Sequence, residues 1–423
     1  MKIMKAAILV IGDEILSGNV QDTNSSFAAR LLFENNISVA HVLAVADTED
    51  AIKQGIKYLF DKVDIVISSG GLGPTRDDVT KTAIVSYFNT ELVFDQAIYD
   101  DLTARYTRSG QPLNALNSDQ AMVPASAEII RNDVGTAPIF WMEQEGKVLV
   151  TLPGVPSEMR YMFENILLPR IVERFGSGKI SRIILQVIGI PESDLAMKLV
   201  EVENQIEAAS NENEHYKLAY LPSMGTIRLQ IIGSGNDSAK IEANINEFKE
   251  QILNKAGKYI YAEGDEGIST YIGKILREKH ATVSTAESCT GGYLAHLITS
   301  VAGSSDYYQG SIISYANEVK TKELGVSETT LERFGAVSEE TCREMVTGCL
   351  KKFNTTYAVV TTGIAGPTGD TDGKPVGLVW IGVGNKDNMV ISSFQFRRNR
   401  IENIHLFAVS ALDMLRKFVV DES

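Results

Sequence analysis

Apolar and polar positions alternate along the first third of the chain in a strand–helix rhythm. Residues 5–12 form a continuous apolar run after Lys5, the pattern of a strand buried on both faces. Residues 24–34 read as a helix, 38–45 as a strand, 48–60 as a helix and 64–69 as a strand. Such alternation predicts a parallel sheet with helical crossovers. Ligands of these sheets sit beyond the carboxyl ends of the strands. The polar loops Gly12-Asp13-Glu14, Asp47 and Ser69-Gly70-Gly71-Leu72-Gly73-Pro74-Thr75-Arg76-Asp77-Asp78 fall there.

After a helix over 159–175, Gly176-Ser177-Gly178 reads as a flexible break. Strands over 183–190, 216–221 and 226–232, with helices over 192–203 and 239–256, predict a small α+β unit. Glycine-bearing residues 262–267 read as a second joint. Beyond it the alternation resumes, with a helix over 269–279, a strand opening at Thr282, and strands over 312–315, 357–361, 376–383 and 390–396. Residues 316–320 open a helical turn, and Ser327 and Ser338 read as helix N-caps. The expected domains are therefore 1–175, 176–262 and 263–423.

Composition narrows the class. An apolar share of 44% suits a globular chain, and a net charge of −14 argues against general affinity for nucleic acid or anionic membrane. Cys289, Cys342 and Cys349 are odd in number and form no Cys-x-x-Cys pair, so neither a disulfide framework nor a zinc cage is expected. Lys2 and Lys5 before an apolar run mimic a short signal peptide. Gly12-Asp13-Glu14 ends that run without a small-residue cleavage site, so the expected compartment is the cytoplasm. No stretch approaches the roughly 18 apolar residues of a membrane span.

The candidate chemistry centres on Thr282–Gly292, Thr-Val-Ser-Thr-Ala-Glu-Ser-Cys-Thr-Gly-Gly. A strand, a small-residue turn and a helix start would expose N–H groups suited to a phosphate or an oxyanion. The same hydroxyls could instead merely cap the helix. Ser288 and Cys289 stand at the lip, where a nucleophile belongs. A second glycine-rich loop, Thr362-Gly363-Ile364-Ala365-Gly366-Pro367-Thr368-Gly369, ends the strand over 357–361, and Arg397, Arg398 and Arg400 follow the last strand. His296 and His405 lie in helical stretches as packing residues, and His41 and His215 lack metal-spaced partners. A serine activated by a lysine of depressed pKa is the available alternative to a triad. In the first third, the glycines of the Ser69–Asp78 loop expose N–H groups for phosphate. Asp77 and Asp78 read as holders of a hard cation, with helix capping as the rival reading.

Two sets of motifs resemble the CinA family. Gly12–Gly18, the Ser69–Asp78 loop, Gly135-Thr-Ala-Pro138 and Leu152-Pro-Gly-Val-Pro156 are similar to its molybdopterin-binding-like N-terminal domain, with Ile139 where the family has glycine. That resemblance implies hydrolysis of ADP-ribose with a divalent metal ion and potassium. It implies metal ligands at Asp47 and Asp78, and a nucleotide site at Asp13, Gly70, Gly71, Gly73, Thr75 and Asp77. The middle segment corresponds to the family's KH-like module, here a spacer because no Gly-x-x-Gly loop joins two helices. Ala286–Gly292, Tyr315–Lys320, Gly335–Ser338, Gly363–Gly369 and Lys374–Gly377 resemble the family's nicotinamide-nucleotide amidase domain.

This second resemblance implies deamidation of nicotinamide mononucleotide (NMN) to nicotinate mononucleotide, in pyridine-nucleotide salvage, without a cofactor. The implied nucleophile is Ser288 and the implied base Lys320. Tyr315 would orient Lys320 or bond the nicotinamide. Amides of Cys289, Thr290, Gly291 and Gly292 would hold the oxyanion. Thr362, Gly363, Ala365, Gly366 and Arg400 would bind phosphate, and Asn317 the ribose. Cys289 is the rival nucleophile. A homodimer is implied. The alternatives are a competence or recombination scaffold, or a molybdopterin-binding module.

Overall fold

The structure is a computed structural model that describes residues 5–75, 78–175 and 179–421. Asp77, and the break expected at 176–178, lie outside the described residues. Contacts divide the chain into two compact units, residues 1–180 with 234–238, and residues 181–233 with 239–423.

In the first unit, β1 (Lys5–Ile11), α1 (Asp13–Leu16), α2 (Asn24–Glu34), β2 (Ser38–Val45), α3 (Glu49–Phe60) and β3 (Ile65–Ser69) follow the expected rhythm. Then come α4 (Thr80–Phe88), β4 (Leu92–Phe94), α5 (Gln96–Arg108), α6 (Ala115–Ser118), β5 (Met122–Pro124), β6 (Glu128–Ile130), β7 (Ile139–Gln144) and β8 (Lys147–Leu152). The sheet order is β2-β1-β3-β8-β7-β6, and β4 pairs separately with β5. Strands β2, β1, β3 and β8 run parallel, as expected, and β7 adds antiparallel to β8 with β6 antiparallel to β7. The cause is local. Glu145 and Gly146 have φ of 53° and 77°, and two successive positive φ values make the tight turn that returns β7 into β8. The helix expected over 159–175 runs from α7 (Pro156–Met162) through a π turn (Phe163–Leu167) into α8 (Leu168–Phe175). Apolar side chains pack on both faces of the sheet, Ile8, Ile67 and Val150 on one and Leu9, Val66 and Leu149 on the other. That two-sided burial is why these strands read as unbroken apolar runs.

The second unit opens with β9 (Lys179–Ile188), α9 (Glu192–Ala209), β10 (Glu214–Ser223), β11 (Thr226–Gly235), α10 (Ser238–Ala256) and β12 (Ile260–Glu263). They form a four-stranded sheet in the order β10-β11-β9-β12. It continues through α11 (Ile268–Glu278), β13 (Val283–Glu287), α12 (Tyr293–Thr299), β14 (Tyr308–Ile313), α13 (Asn317–Leu324), α14 (Glu328–Phe334) and α15 (Glu339–Phe353). The chain ends with β15 (Tyr357–Gly363), β16 (Leu378–Gly384), β17 (Met389–Gln395) and α16 (Arg400–Asp421). The second sheet runs β14-β13-β15-β16-β17, parallel among the first three strands and antiparallel thereafter. Ile188 and Tyr261 share one apolar core with Val283, Val359 and Phe407, which joins the middle segment to the last domain.

The strand expected over 312–315 is β14, and it ends at Ile313. Ser314 leaves the sheet, its N–H bonded to Glu287 O at 2.7 Å. Ser338 caps α15 by accepting from Thr341 N–H, as expected. The Ser327 hydroxyl does not cap α14; its N–H goes to the Glu344 carboxylate.

Candidate active site

Three parallel strands deliver the site at their carboxyl ends: β13 delivers Ser288, β14 leads into Ser314 and Tyr315, and β15 ends in the second glycine loop. The turn after β13 is tight because Gly291 and Gly292 adopt φ of 58° and 98°. Ser288 N–H donates to Thr361 O at 2.9 Å, and the Thr290 and Thr361 hydroxyls meet at 2.7 Å. These bonds tie the turn to β15.

Lys320, in the first turns of α13, points inward and is 1% exposed. Its Nζ lies 3.1 Å from Ser288 Oγ, 2.6 Å from Ser314 O and 3.3 Å from Tyr315 O. None of these partners is a carboxylate. Burial therefore dominates, and it depresses the lysine pKa from 10.5 to about 8. The neighbouring Cys289 is buried at 6% exposure, and its thiol pKa is pushed up to about 12 by desolvation. A thiol held protonated is a poor nucleophile, which counts against the cysteine rival.

The expected cradle is partly corrected. Gly291 N–H donates to Ser288 O, and Gly292 N–H donates to Oε2 of Glu287. The same fully buried carboxylate accepts from Leu294 and Ala295, filling the start of α12. Among the described residues, the N–H groups of Cys289 and Thr290 donate to no other residue. They are the amides of the turn left without a partner.

Tyr315 meets Lys320 through its backbone carbonyl, while the residue as a whole is 62% exposed and its hydroxyl accepts from Arg400 Nη2 at 3.2 Å. Orientation of the lysine thus falls to two carbonyls and not to the phenol. Arg400 Nη1 also donates to Gly366 O at 2.7 Å, bringing the arginine, the tyrosine and the second glycine loop together. The Thr362 hydroxyl is buried and committed to Ala336 O, so it is corrected from phosphate donor to loop anchor. Gly363 lies against β16, where a Cβ would stand 2.5 Å from Leu378 O. The N–H groups of Ala365 and Gly366 remain unengaged among the described residues. Asn317 is exposed at the first turn of α13.

Sequence reasoning missed Glu287, Ser314 and Asn403. Asn403 is fully buried; its amide donates to Ala365 O and Arg398 O and accepts from Arg398 N–H. An asparagine three residues after Arg400, inside an apolar helix, was the available signal. Neither His296 nor His405 is bonded to Ser288. His405 instead stands 2.9 Å from the Tyr293 hydroxyl and 3.1 Å from Met224 O.

The first unit holds a separate cavity of about 470 Å³ at the ends of β1, β2, β3 and β8. Asp47, Asp78, Gly70, Gly71, Gly73, Glu14 and Asn24 line it. Asp13 and Asp47 clamp each other, each N–H donating to the other's carboxylate. Burial raises the Asp47 pKa; the Asp13 bond lowers it, and the charges of Glu14, Asp13 and Asp78 raise it further. Asp78 does not cap α4. It accepts from Gly73 N–H at 2.8 Å and from Thr75 N–H at 2.9 Å, folding the glycine loop back on itself. Gln120 braces the loop at Leu72 O. Ile139 is buried at the start of β7 and does not line the cavity, so its replacement of glycine leaves that wall untouched. Among the described residues, no group of three or more His, Cys, Asp or Glu is gathered as for a metal ion, and no helix is long and apolar enough to cross a membrane.

Comparison with known proteins accounts for the chain from end to end. Residues 7–173 match the probable molybdopterin binding domain, 182–262 the damage-inducible protein CinA KH domain, and 265–419 the CinA C-terminal domain. A CinA-like protein of Cytophaga hutchinsonii is 38% identical over 412 residues, covering 97% of each chain. One from Flavobacterium psychrophilum is 39% identical over 422 residues, covering 99% of each. A solved structure of a competence/damage inducible protein from Agrobacterium tumefaciens, 37% identical, covers 35% of this chain and 91% of its own, with a TM-score of 0.35. With full-length relatives at this identity and all three domains in order, the chain belongs to the CinA family.

Proposed function

We propose that the C-terminal domain deamidates nicotinamide mononucleotide through an acyl-enzyme. The observation that carries this is the Lys320–Ser288 pair. A neutral amine has two N–H donors and one lone pair. The carbonyls of Ser314 and Tyr315 take the two donors, which leaves the lone pair for the Ser288 hydroxyl 3.1 Å away. Ser288 Oγ attacks the carboxamide carbon while Lys320 takes its proton. The tetrahedral oxyanion is held by the Cys289 and Thr290 amides. Lys320 then gives the proton to the departing nitrogen, releasing ammonia and leaving a nicotinyl ester on Ser288. Water, deprotonated by the same amine, cleaves that ester. Arg400 with the Ala365 and Gly366 amides suits the 5′-phosphate, and the exposed Tyr315 and Asn317 flank the approach.

Purified protein supplied with NMN should release one ammonia per nicotinate mononucleotide formed. Ser288→Ala, with Cys289 intact, should abolish the release. Retained turnover would transfer the role to the cysteine, and no ammonia from folded parent protein would favour the scaffold reading.

A second reading, for the first unit, is supported by two carboxylates facing one cavity of about 470 Å³ beside the glycine loop. Asp47 and Asp78 fit a divalent cation that takes one or two carboxylates and completes its shell with phosphate oxygens and water. When bound, such a cation would neutralise a pyrophosphate for attack by water. The residues present bind and orient: among the described residues the amides of Gly71 and Leu72 stay unengaged, Gly70 N–H is corrected to a bond with Leu152 O and Gly73 N–H to one with Asp78, and Asp78 fixes the loop's shape. ADP-ribose hydrolysis with added divalent metal and potassium is the matching assay.

A further inference from the structure

Glu287 is a fully buried carboxylate, adjacent in sequence to the nucleophile, that the acyl-transfer scheme leaves without a part. Its side chain gathers Gly292 N–H at 2.9 Å, Leu294 N–H at 3.0 Å and Ala295 N–H at 2.8 Å, with the Ser311 hydroxyl at 3.4 Å. These are the amides that open α12, and Gly292 supplies no side-chain cap of its own. The backbone of the same residue faces the other half of the site. Glu287 O accepts from Ser314 N–H at 2.7 Å, and Ser314 O in turn receives Lys320 Nζ at 2.6 Å. One residue thus ties down the turn that carries the nucleophile and the two open amides, and the carbonyl that aims the base.

We propose that Glu287 is the positioning residue of the deamidation site, setting Ser288, the Cys289 and Thr290 amides and, through Ser314, Lys320 in reacting register. This rests on the amidase reading of that site. Glu287 itself touches no substrate: its oxygens are enclosed and turned toward α12. The carboxylate form is specifically required. The three amides are all donors, and an acceptor-only group with two oxygens can satisfy them together. A glutamine of the same shape would turn an NH₂ against at least one of them, and the turn would have to shift. A displacement of about 1 Å at the reacting atoms is enough to lose on the order of 10²-fold in rate.

The test compares parent, Glu287→Gln and Glu287→Asp in the full-length chain. Two readouts are taken well below each variant's Tm: NMN deamidation, and the rate at which a fluorophosphonate labels Ser288 per folded molecule. The expected result for Glu287→Gln is kcat lower by on the order of 10²-fold, KM within about twofold of parent, and labelling slowed in parallel. Glu287→Asp, which keeps the charge on a shorter arm, should recover part of both. The proposal is overturned if Glu287→Gln turns over and labels at the parent rate with only a lower Tm, or if the loss lies in KM alone. Should Glu287→Gln fail to fold, Glu287→Asp decides, and parental kcat and labelling there overturn the proposal. The labelling arm assumes no substrate. A parent that labels in a Glu287-dependent way yet releases no ammonia from NMN would sink the amidase reading while leaving the positioning role standing.

Discussion

If Lys320 is the base, the pH–rate profile is set by how deeply the fold has lowered its proton affinity. At a pKa of about 8, about one amine in ten is neutral at pH 7, against roughly one in three thousand at the ordinary value of 10.5. Burial therefore multiplies the competent fraction by about 300. The expected kcat/KM climbs about tenfold between pH 6 and pH 7 and levels above pH 8. Initial rates of ammonia release in constant-ionic-strength buffers give the profile. Lys320→Arg, charged throughout, should abolish turnover and the ascending limb together.

The same group predicts a stability effect of defined sign. Its folded pKa lies below its unfolded value, so the unfolded chain binds more protons between about pH 8 and pH 10.5, and stability rises with pH across that window. Below pH 8 the folded state carries the full penalty of a buried ammonium, at most about 3 kcal/mol. Lys320→Met should thus raise the Tm of the C-terminal domain at pH 7, by an increment that shrinks toward pH 10. A profile flat from pH 6 to pH 9, or a limb that persists with turnover in Lys320→Met, would refute the reasoning.

Three further outcomes follow from particular contacts. In native protein at pH 8, Cys289 should resist iodoacetamide and react only after unfolding, since its thiol is enclosed and held protonated; mass spectrometry of the alkylated peptide reads this. Asn403→Leu leaves the carbonyls of Ala365 and Arg398 without their donor, which should cost about 2–3 kcal/mol in denaturant unfolding and raise KM for NMN. Gly70→Ala places a Cβ 2.1 Å from Ile11 O at a φ of +115°, so calorimetric binding of ADP-ribose should be lost while deamidation continues.

Much of this was legible in the chain because strong periodicity marks long elements. The helix expected over 24–34 and the strand over 38–45 match α2 and β2 residue for residue. Short elements carry no period: β4 and β5 have three residues each, and their pairing across the intervening α5 and α6 was invisible. The strand expected over 312–315 begins too late because the first four of the six residues of β14, Tyr308-Gln309-Gly310-Ser311, look like a loop until they pair with β13. Of the site, Ser288 and Lys320 could be read because a motif marks side chains. Ser314 acts through its carbonyl, and Glu287 through amides five to eight residues on. Sequence pattern reports neither kind of bond, which exists only once the turn is folded.

Helix α16 serves two neighbours at once. Its first turn offers Arg400 and Asn403 to the glycine loop, while one turn further His405 reaches Met224 O, and Leu406 and Val409 lie against Gly225 at the tip of the β10–β11 hairpin. A C-terminal domain trimmed of the middle segment would therefore bare an oily stripe on the helix that shapes its own glycine loop. To work alone, that domain would need the stripe repainted with polar side chains, or hidden against a sister copy.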